Sequence, residues 1–527
     1  MVLVAAPSFY LLLRLPPLWR DSDGFYQVCA GITDLTILHW PPLYCLLARI
    51  PIALGGIISA AISGQVFPGF QILPPTFTDL GIYLLISSQH ILLIGTLFFS
   101  CISLTRSPLV RILIAGLFAL SPPLYAFAHS VGSESLSNIF TLLVAVLGYK
   151  CVCVHIVSRG LALWFVGALV AAMLTRHVNT ILIGLVPGAY LLACAFTLPS
   201  WLKHMHRASG YAKLLKSLLL GGLSVLIAHL VVLGVCRLSK IPYRSKVGAT
   251  FEWRLFYLAN LSRESQGEVL EKVDKNLHDP AVSFAIDKGR DMLLSRNTWD
   301  ASVLHSALYE WLGDHGVVGW KRLRLESDKR LNRIAVQFLL NGGSDFWSVV
   351  THEFWTSLNY SPADICREAF RTTDLFIKMS AEPAFAPVQH LSTLRPRRES
   401  YESEWSRDPY LTFGQRIPVW AMMLALLAGA SCFLLFRSVQ APEIPLYAVS
   451  LLATGIVISL VNCALTFLLP RFTLPLYILT VFGLATVLAK LSELRMLPRE
   501  GPDALQKNDQ SSCRLTCRNA PGRASKS

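Results

Sequence analysis

A chain of 527 residues that is 53% hydrophobic and only 15% charged is far too apolar for a soluble domain and requires many membrane spans. Its 47 Lys and Arg against 33 Asp and Glu give a formal net charge of +14. Basic residues crowding the loops beside spans are the ordinary mark of cytoplasmic membrane flanks, so no nucleic-acid partner is expected. The 12 cysteines are scattered, several in apolar runs as small hydrophobes, and neither Cys151-Val-Cys153 nor Cys513 to Cys517 has the second ligand pair of a zinc site.

In chain order, residues 1–13 form a short apolar run without the basic leader or cleavage site of a signal peptide, and read as a first span. A span needs roughly 20 apolar residues. Residues 80–101, 112–128, 136–157, 161–174, 178–198, 215–236, 417–436, 446–469 and 472–488 fit, for about ten spans in all. Arg106, Arg111, Arg159, Lys203, Arg207, Lys213, Lys216, Arg437, Lys490, Arg495 and Arg499 then fall on alternate loops, which are expected to be cytoplasmic. The opposite side receives residues 20–44, residues 129–138, Arg176-His177, residues 237–412 and Pro470-Arg471. Residues 43–62 are apolar enough to span, but counting them would reverse every later loop. Arg49, Pro51 and Gly55-Gly56 interrupt them, so an interfacial helix is expected.

The expected fold class is all-α integral membrane, with interfacial helices in the first outer loop. An N-terminal transmembrane module (1–236) carries that loop (20–79). A mostly helical non-cytoplasmic domain (237–412), C-terminal transmembrane helices (413–490) and a basic, disordered cytoplasmic tail (491–527) follow.

The candidate chemistry gathers on one side. Asp21 and Asp23 flank Ser22 on a turn entering a helix, where a carboxylate either caps the helix or accepts a proton from an incoming hydroxyl or amine. His39 and Tyr44 bracket the rigid Trp40-Pro41-Pro42 segment, which serves as an interface anchor or touches substrate. Glu134 either favours the positive end of the span it opens or takes a direct part in a site. Arg176 and His177 follow a span of about two-thirds normal length, so they are recessed and either snorkel or meet an anion. Arg471 stands in a tight turn between the last two spans, where a guanidinium suits bidentate phosphate recognition. Arg471→Ala is accordingly expected to weaken use of a phosphate-bearing substrate far more than Arg49→Ala. Asp21-Ser-Asp23 has no obvious third ligand, so no metal is expected.

Taken in order, Asp21-Ser-Asp-Gly-Phe-Tyr26, His39-Trp-Pro-Pro-Leu-Tyr44, Ser121-Pro-Pro, Ser133-Glu134-Ser, Thr175-Arg-His-Val-Asn179 and Pro470-Arg-Phe-Thr-Leu-Pro475 resemble the GT-C class of polytopic glycosyltransferases. The similar branch uses dolichyl- or polyprenyl-phosphate sugars and includes protein mannosyltransferases and the lipid A aminoarabinose transferase. The resemblance leaves residues 237–412 uncovered. The chain departs from it in its short first span and in His-Trp, rather than plain His, before the proline pair.

The resemblance implies transfer of a sugar from a polyprenyl-phosphate carrier to a lipid, glycan or protein acceptor on the non-cytoplasmic side of an inner, plasma or endoplasmic-reticulum membrane. It implies inversion, no cofactor, and an acidic base in the first outer loop, which falls on Asp21 or Asp23. Arg176, His177 and Arg471 would then face the leaving phosphate. A transporter or lipid flippase lined by Asp23, Glu134 and Arg176 is the alternative, but such folds often carry internal repeats and none is evident here.

Overall fold

A chain that must satisfy its own backbone in lipid has few options, and this one is helical almost throughout. The computed structural model describes residues 1–28, 41–64, 77–154, 157–196, 205–239, 247–300, 302–395, 399–436, 443–466 and 468–496. The first part comprises α1 (Val2–Arg14), strand β1 (Leu18–Trp19), α2 (Asp21–Val28), α3 (Pro42–Ile62), α4 (Asp79–Leu104), α5 (Pro108–Ala119), α6 (Pro122–Ala128) and strand β2 (Ser130–Val131). Next come α7 (Ser133–Cys153), α8 (Arg159–Thr175), a 3-10 turn (His177–Gly184), α9 (Leu185–Phe196) and α10 (Met205–Ser239). Local sequence explains several boundaries. Thr78 and Ser158 cap α4 and α8 by accepting from Gly81 N and Leu161 N. Two prolines open α6, so it cannot continue α5, and the pair bends by 61°.

Seven described helices are long and apolar enough to cross a membrane, or eight if the bent α5–α6 pair is one span. Helices α1 and α8 are apolar but shorter, which accounts for part of the difference from about ten. Helix α3, at 21 residues, has the length and composition of a span, as its sequence indicates. Its placement is unusual, however. Tyr149 Oη donates to Leu104 O (3.3 Å) and Ser135 Oγ meets Gln89, so α4 and α7 run side by side in one direction. Tyr44 sits at the start of α7, bonded to Gly132 N, whereas Gly55 lies against Gly81, so α3 rises beside the first turns of α4. Those turns extend beyond the start of α7 by roughly 12 Å at 1.5 Å per residue. Leu46, Ile50, Leu54, Ile58 and Ile62 form an exposed aliphatic stripe along α3 at a spacing of four, which suits contact with lipid.

The second half supplies α11 (Val247–Glu252), a 3-10 turn (Trp253–Asn260), α12 (Arg263–Leu277), α13 (Pro280–Arg296), α14 (Val303–Asp314), α15 (Trp320–Asn341), α16 (Gly343–Leu358) and α17 (Pro362–Met379). It continues through α18 (Tyr401–Trp405), the apolar but short α19 (Val419–Phe436), α20 (Glu443–Leu465), a 3-10 turn (Pro470–Thr473) and α21 (Leu474–Met496). Helix α21 runs six residues past the expected boundary at 490, while 497–527 lie outside the described residues.

The inserted segment, expected as one outer domain over 237–412, packs as two parts. Residues from Phe251 to Val350 close a core of their own, completed by Cys463 and Ala464 at the end of α20. Residues from Leu358 to Leu411 join the main core instead. A wholly buried Arg254 ties the first part to the bundle, pairing with Glu353 (Nη1–Oε2, 2.5 Å) and donating to Thr466 O (3.4 Å). Burial pushes the Glu353 carboxyl up, and the Arg254 guanidinium opposes that shift. The second part is tied by Thr373 of α17, whose Oγ1 accepts from Trp19 N and donates to Trp19 O, both at 3.0 Å. Trp19 stacks on Phe376 (5.1 Å), and Phe25 meets Phe385 edge-on (5.0 Å), so α17 lies against β1 and α2.

Candidate functional site at the mouth of the bundle

The site begins with a strand pair too short for any periodicity to announce. Strands β1 and β2 pair in parallel, Leu18 with Ser130 and Trp19 with Val131. Leu18 N and Arg20 N donate to His129 O and Val131 O, each at 3.1 Å. This ladder sets Arg20 beside Gly132, where a Cβ would lie 2.9 Å from Arg20 Cβ and 3.2 Å from Glu134 Oε2. Gly24 is constrained in the same way, because its Cβ would lie 2.4 Å from Val131 O. Glycine at both positions lets α2 and the start of α7 close on each other.

A histidine relay braces the ladder from behind. His129 Nε2 donates to Leu15 O (2.8 Å), so in a neutral ring its Nδ1 accepts from His90 Nε2 (3.0 Å), and Ser8 Oγ then donates to His90 Nδ1 (2.9 Å). Both rings are buried, and the chain of bonds joins α1, α4 and the end of α6.

Glu134 is the centre of the cluster and is 1% exposed. Arg20 Nε lies 2.6 Å from its Oε1, and Arg176 Nη1 lies 3.2 Å from the same oxygen. Arg471, buried in the Pro470–Thr473 turn with its guanidinium 5.5 Å from the Phe472 ring centroid, acts electrostatically on both Glu134 and Arg176. On the other side Arg20 Nη2 lies 3.4 Å from Asp23 Oδ2, and the Asp23 side chain is 32% exposed. Segments distant in sequence thus bring Arg20 and Arg176 onto one buried carboxylate, with Arg471 close enough to act on it electrostatically and a second, partly exposed carboxylate alongside. An ion cluster so buried holds together only if every charge has a partner.

Neutral groups fix its rim. Tyr44 Oη accepts from Gly132 N (2.7 Å), and Gln27 Oε1 accepts from Ser133 N (2.7 Å), supplying the free N–H groups at the start of α7. Gln89 Nε2 donates to Ser130 O (3.3 Å). Burial, then the Glu382 and Asp23 carboxylates, push the Tyr26 phenol up, so it stays a neutral hydroxyl beside Asp23.

Arg49 is 2% exposed, and its Nε and Nη2 both donate to Val28 O (3.3 and 3.2 Å), the last residue of α2. It is therefore a clamp on the helix that carries Asp23. Arg49→Ala should cost about 1–3 kcal/mol by leaving the Val28 carbonyl only the weak Cys45 Sγ donor at 3.9 Å, read as a lower midpoint of thermal unfolding in detergent. An unchanged midpoint would count against the clamp.

Of the residues expected at a site, Asp23, Glu134 and Arg176 meet in one connected cluster, Arg471 faces it, and Tyr44 supports its rim. His177 follows Arg176 with an exposed side chain. Helix α2 includes Asp21, but the Asp21 side chain and all of His39 lie outside the described residues. Sequence reasoning missed Arg20 as a site residue, although a cation beside an apolar run needs a partner. Among the described residues no three His, Cys, Asp or Glu side chains gather as a metal site. The chain matches no protein-family model and no curated protein sequence.

Proposed function

We propose that this chain is a membrane glycosyltransferase that moves a sugar from a polyprenyl-phosphate donor to an acceptor on the non-cytoplasmic side, with inversion. The observation that carries the reading is the pairing of Arg20 and Arg176 with buried Glu134, with Arg471 acting on the same carboxylate and partly exposed Asp23 alongside. Guanidiniums that an acidic neighbour already holds in place can meet a phosphate without reorganising. Glu134 serves as their organiser.

An aspartate of α2, Asp21 or Asp23, takes the proton of the acceptor hydroxyl or amine. The acceptor atom attacks the anomeric carbon, and the bond from that carbon to the phosphate oxygen breaks on the opposite face. Its electron pair stays on the departing polyprenyl phosphate, whose added negative charge meets Arg176 and Arg471.

The test is transfer of label from a panel of polyprenyl-phosphate hexoses and pentoses to membrane lipids, glycans and proteins. Arg471→Ala should lower kcat/KM for the donor by roughly tenfold or more, whereas exposed Arg263→Ala should leave it unchanged. Equal effects of the two substitutions would remove the phosphate role of Arg471. No transfer by the wild-type chain from any donor in the panel would count against the reading as a whole.

A further inference from the structure

Asn138 stands four residues after Glu134 on α7, on the same helix face and about 6 Å deeper. It is 5% exposed, and its carboxamide makes no hydrogen bond among the described residues, with Nδ2 enclosed and unpartnered. Its neighbours are accounted for: Ser135 meets Gln89 of α4, and Ser137 accepts from Asn179 of the 3-10 turn after α8 (2.9 Å). The face shared by Glu134 and Asn138 points elsewhere. Further along it, Ala145 O accepts from Tyr447 Oη of α20 (2.7 Å), the helix from which the chain turns back through Arg471. The unpaired amide therefore lies one turn beyond Glu134, on the face of α7 that α20 approaches further along.

A buried amide left unpaired among membrane helices is costly, and a leucine of similar shape would fit the bundle at lower free energy. We propose that Asn138 binds a hydroxyl of the sugar carried by the donor; this rests on the glycosyl-donor reading above. The chemistry favours a hydroxyl over a phosphate oxygen. A carboxamide both donates and accepts, as a hydroxyl does, whereas phosphate oxygens only accept and have three guanidiniums close by. Asn138 thus forms the floor of the site and reads the sugar, while the arginines hold the phosphate above it.

The experiment compares the wild-type chain and Asn138→Leu in lipid nanodiscs, measuring binding of polyprenyl phosphate and of polyprenyl-phosphate hexoses and pentoses. The wild-type chain should prefer at least one sugar-bearing lipid over the sugar-free one by roughly tenfold, the scale of one or two well-placed hydrogen bonds. Asn138→Leu should lose that preference, bind the sugar-free lipid as before and melt no lower than the wild-type chain. An Asn138→Leu chain that keeps the preference, or weakens equally for both lipids, overturns the proposal. So does a marked fall in melting temperature, which would make Asn138 structural. A wild-type chain that binds neither lipid overturns the donor reading itself, a different result from one that binds the sugar-free lipid without any preference.

Discussion

Glu134→Ala should destabilise the chain by about 3–5 kcal/mol, because it leaves cations buried without their shared counter-charge. Arg20 Nε and Arg176 Nη1 both lie on Glu134 Oε1, and Arg471 acts on the same group. Removing the carboxylate also turns the neighbouring guanidiniums against one another. Glu134→Gln keeps the shape and an acceptor oxygen but not the charge, so it should fall between wild type and Ala. The measurement is the midpoint of thermal unfolding in detergent, with the yield of folded protein as a second readout. Adding Arg20→Met and Arg176→Met to Glu134→Leu should recover part of the lost stability without activity, since those three positions then need no counter-charge while Arg471 stays charged. An unchanged midpoint for Glu134→Ala would show that the arginines are adequately held elsewhere, and the organising role of Glu134 would fall.

The membrane character and most of the long helices were legible because an apolar run of sufficient length has few structural alternatives. Glu134, Arg176 and Arg471 were legible for the complementary reason: a charge embedded in such surroundings calls for a partner. The identity of each partner was not readable. Arg20 reaches Glu134 only because strands of two residues pair in parallel, and that pairing depends on Gly24 and Gly132 allowing a close approach. Arg49 looked like an interruption in an apolar helix, whereas its value comes from the Val28 carbonyl at the end of α2. The division of the inserted segment was equally hidden. Residues from Leu358 onward have soluble-looking composition, yet Thr373 grips Trp19 from 354 residues away, and composition carries no record of such contacts.

Asp23→Asn, or failing that Asp21→Asn, should reduce transfer by roughly 10²–10⁴, the usual contribution of a positioned general base. The double substitution should abolish it. Asparagine keeps the size and one acceptor oxygen, so α2 should still form and the chain should still insert, which the amount of folded protein in membranes will show. Geometry favours Asp23. It lies one turn from Arg20, which links it to the Glu134 cluster, and its side chain is open enough to meet an acceptor arriving from outside. Order in the chain favours Asp21, which lies nearer the end of the first apolar run. The two single substitutions separate these arguments, because a cap or an electrostatic bystander costs severalfold at most in rate, whereas the base costs a hundredfold or more. If the double variant transfers sugar at the wild-type rate, neither aspartate is the base. A chain with a working phosphate site would then need an acceptor whose proton leaves by another route.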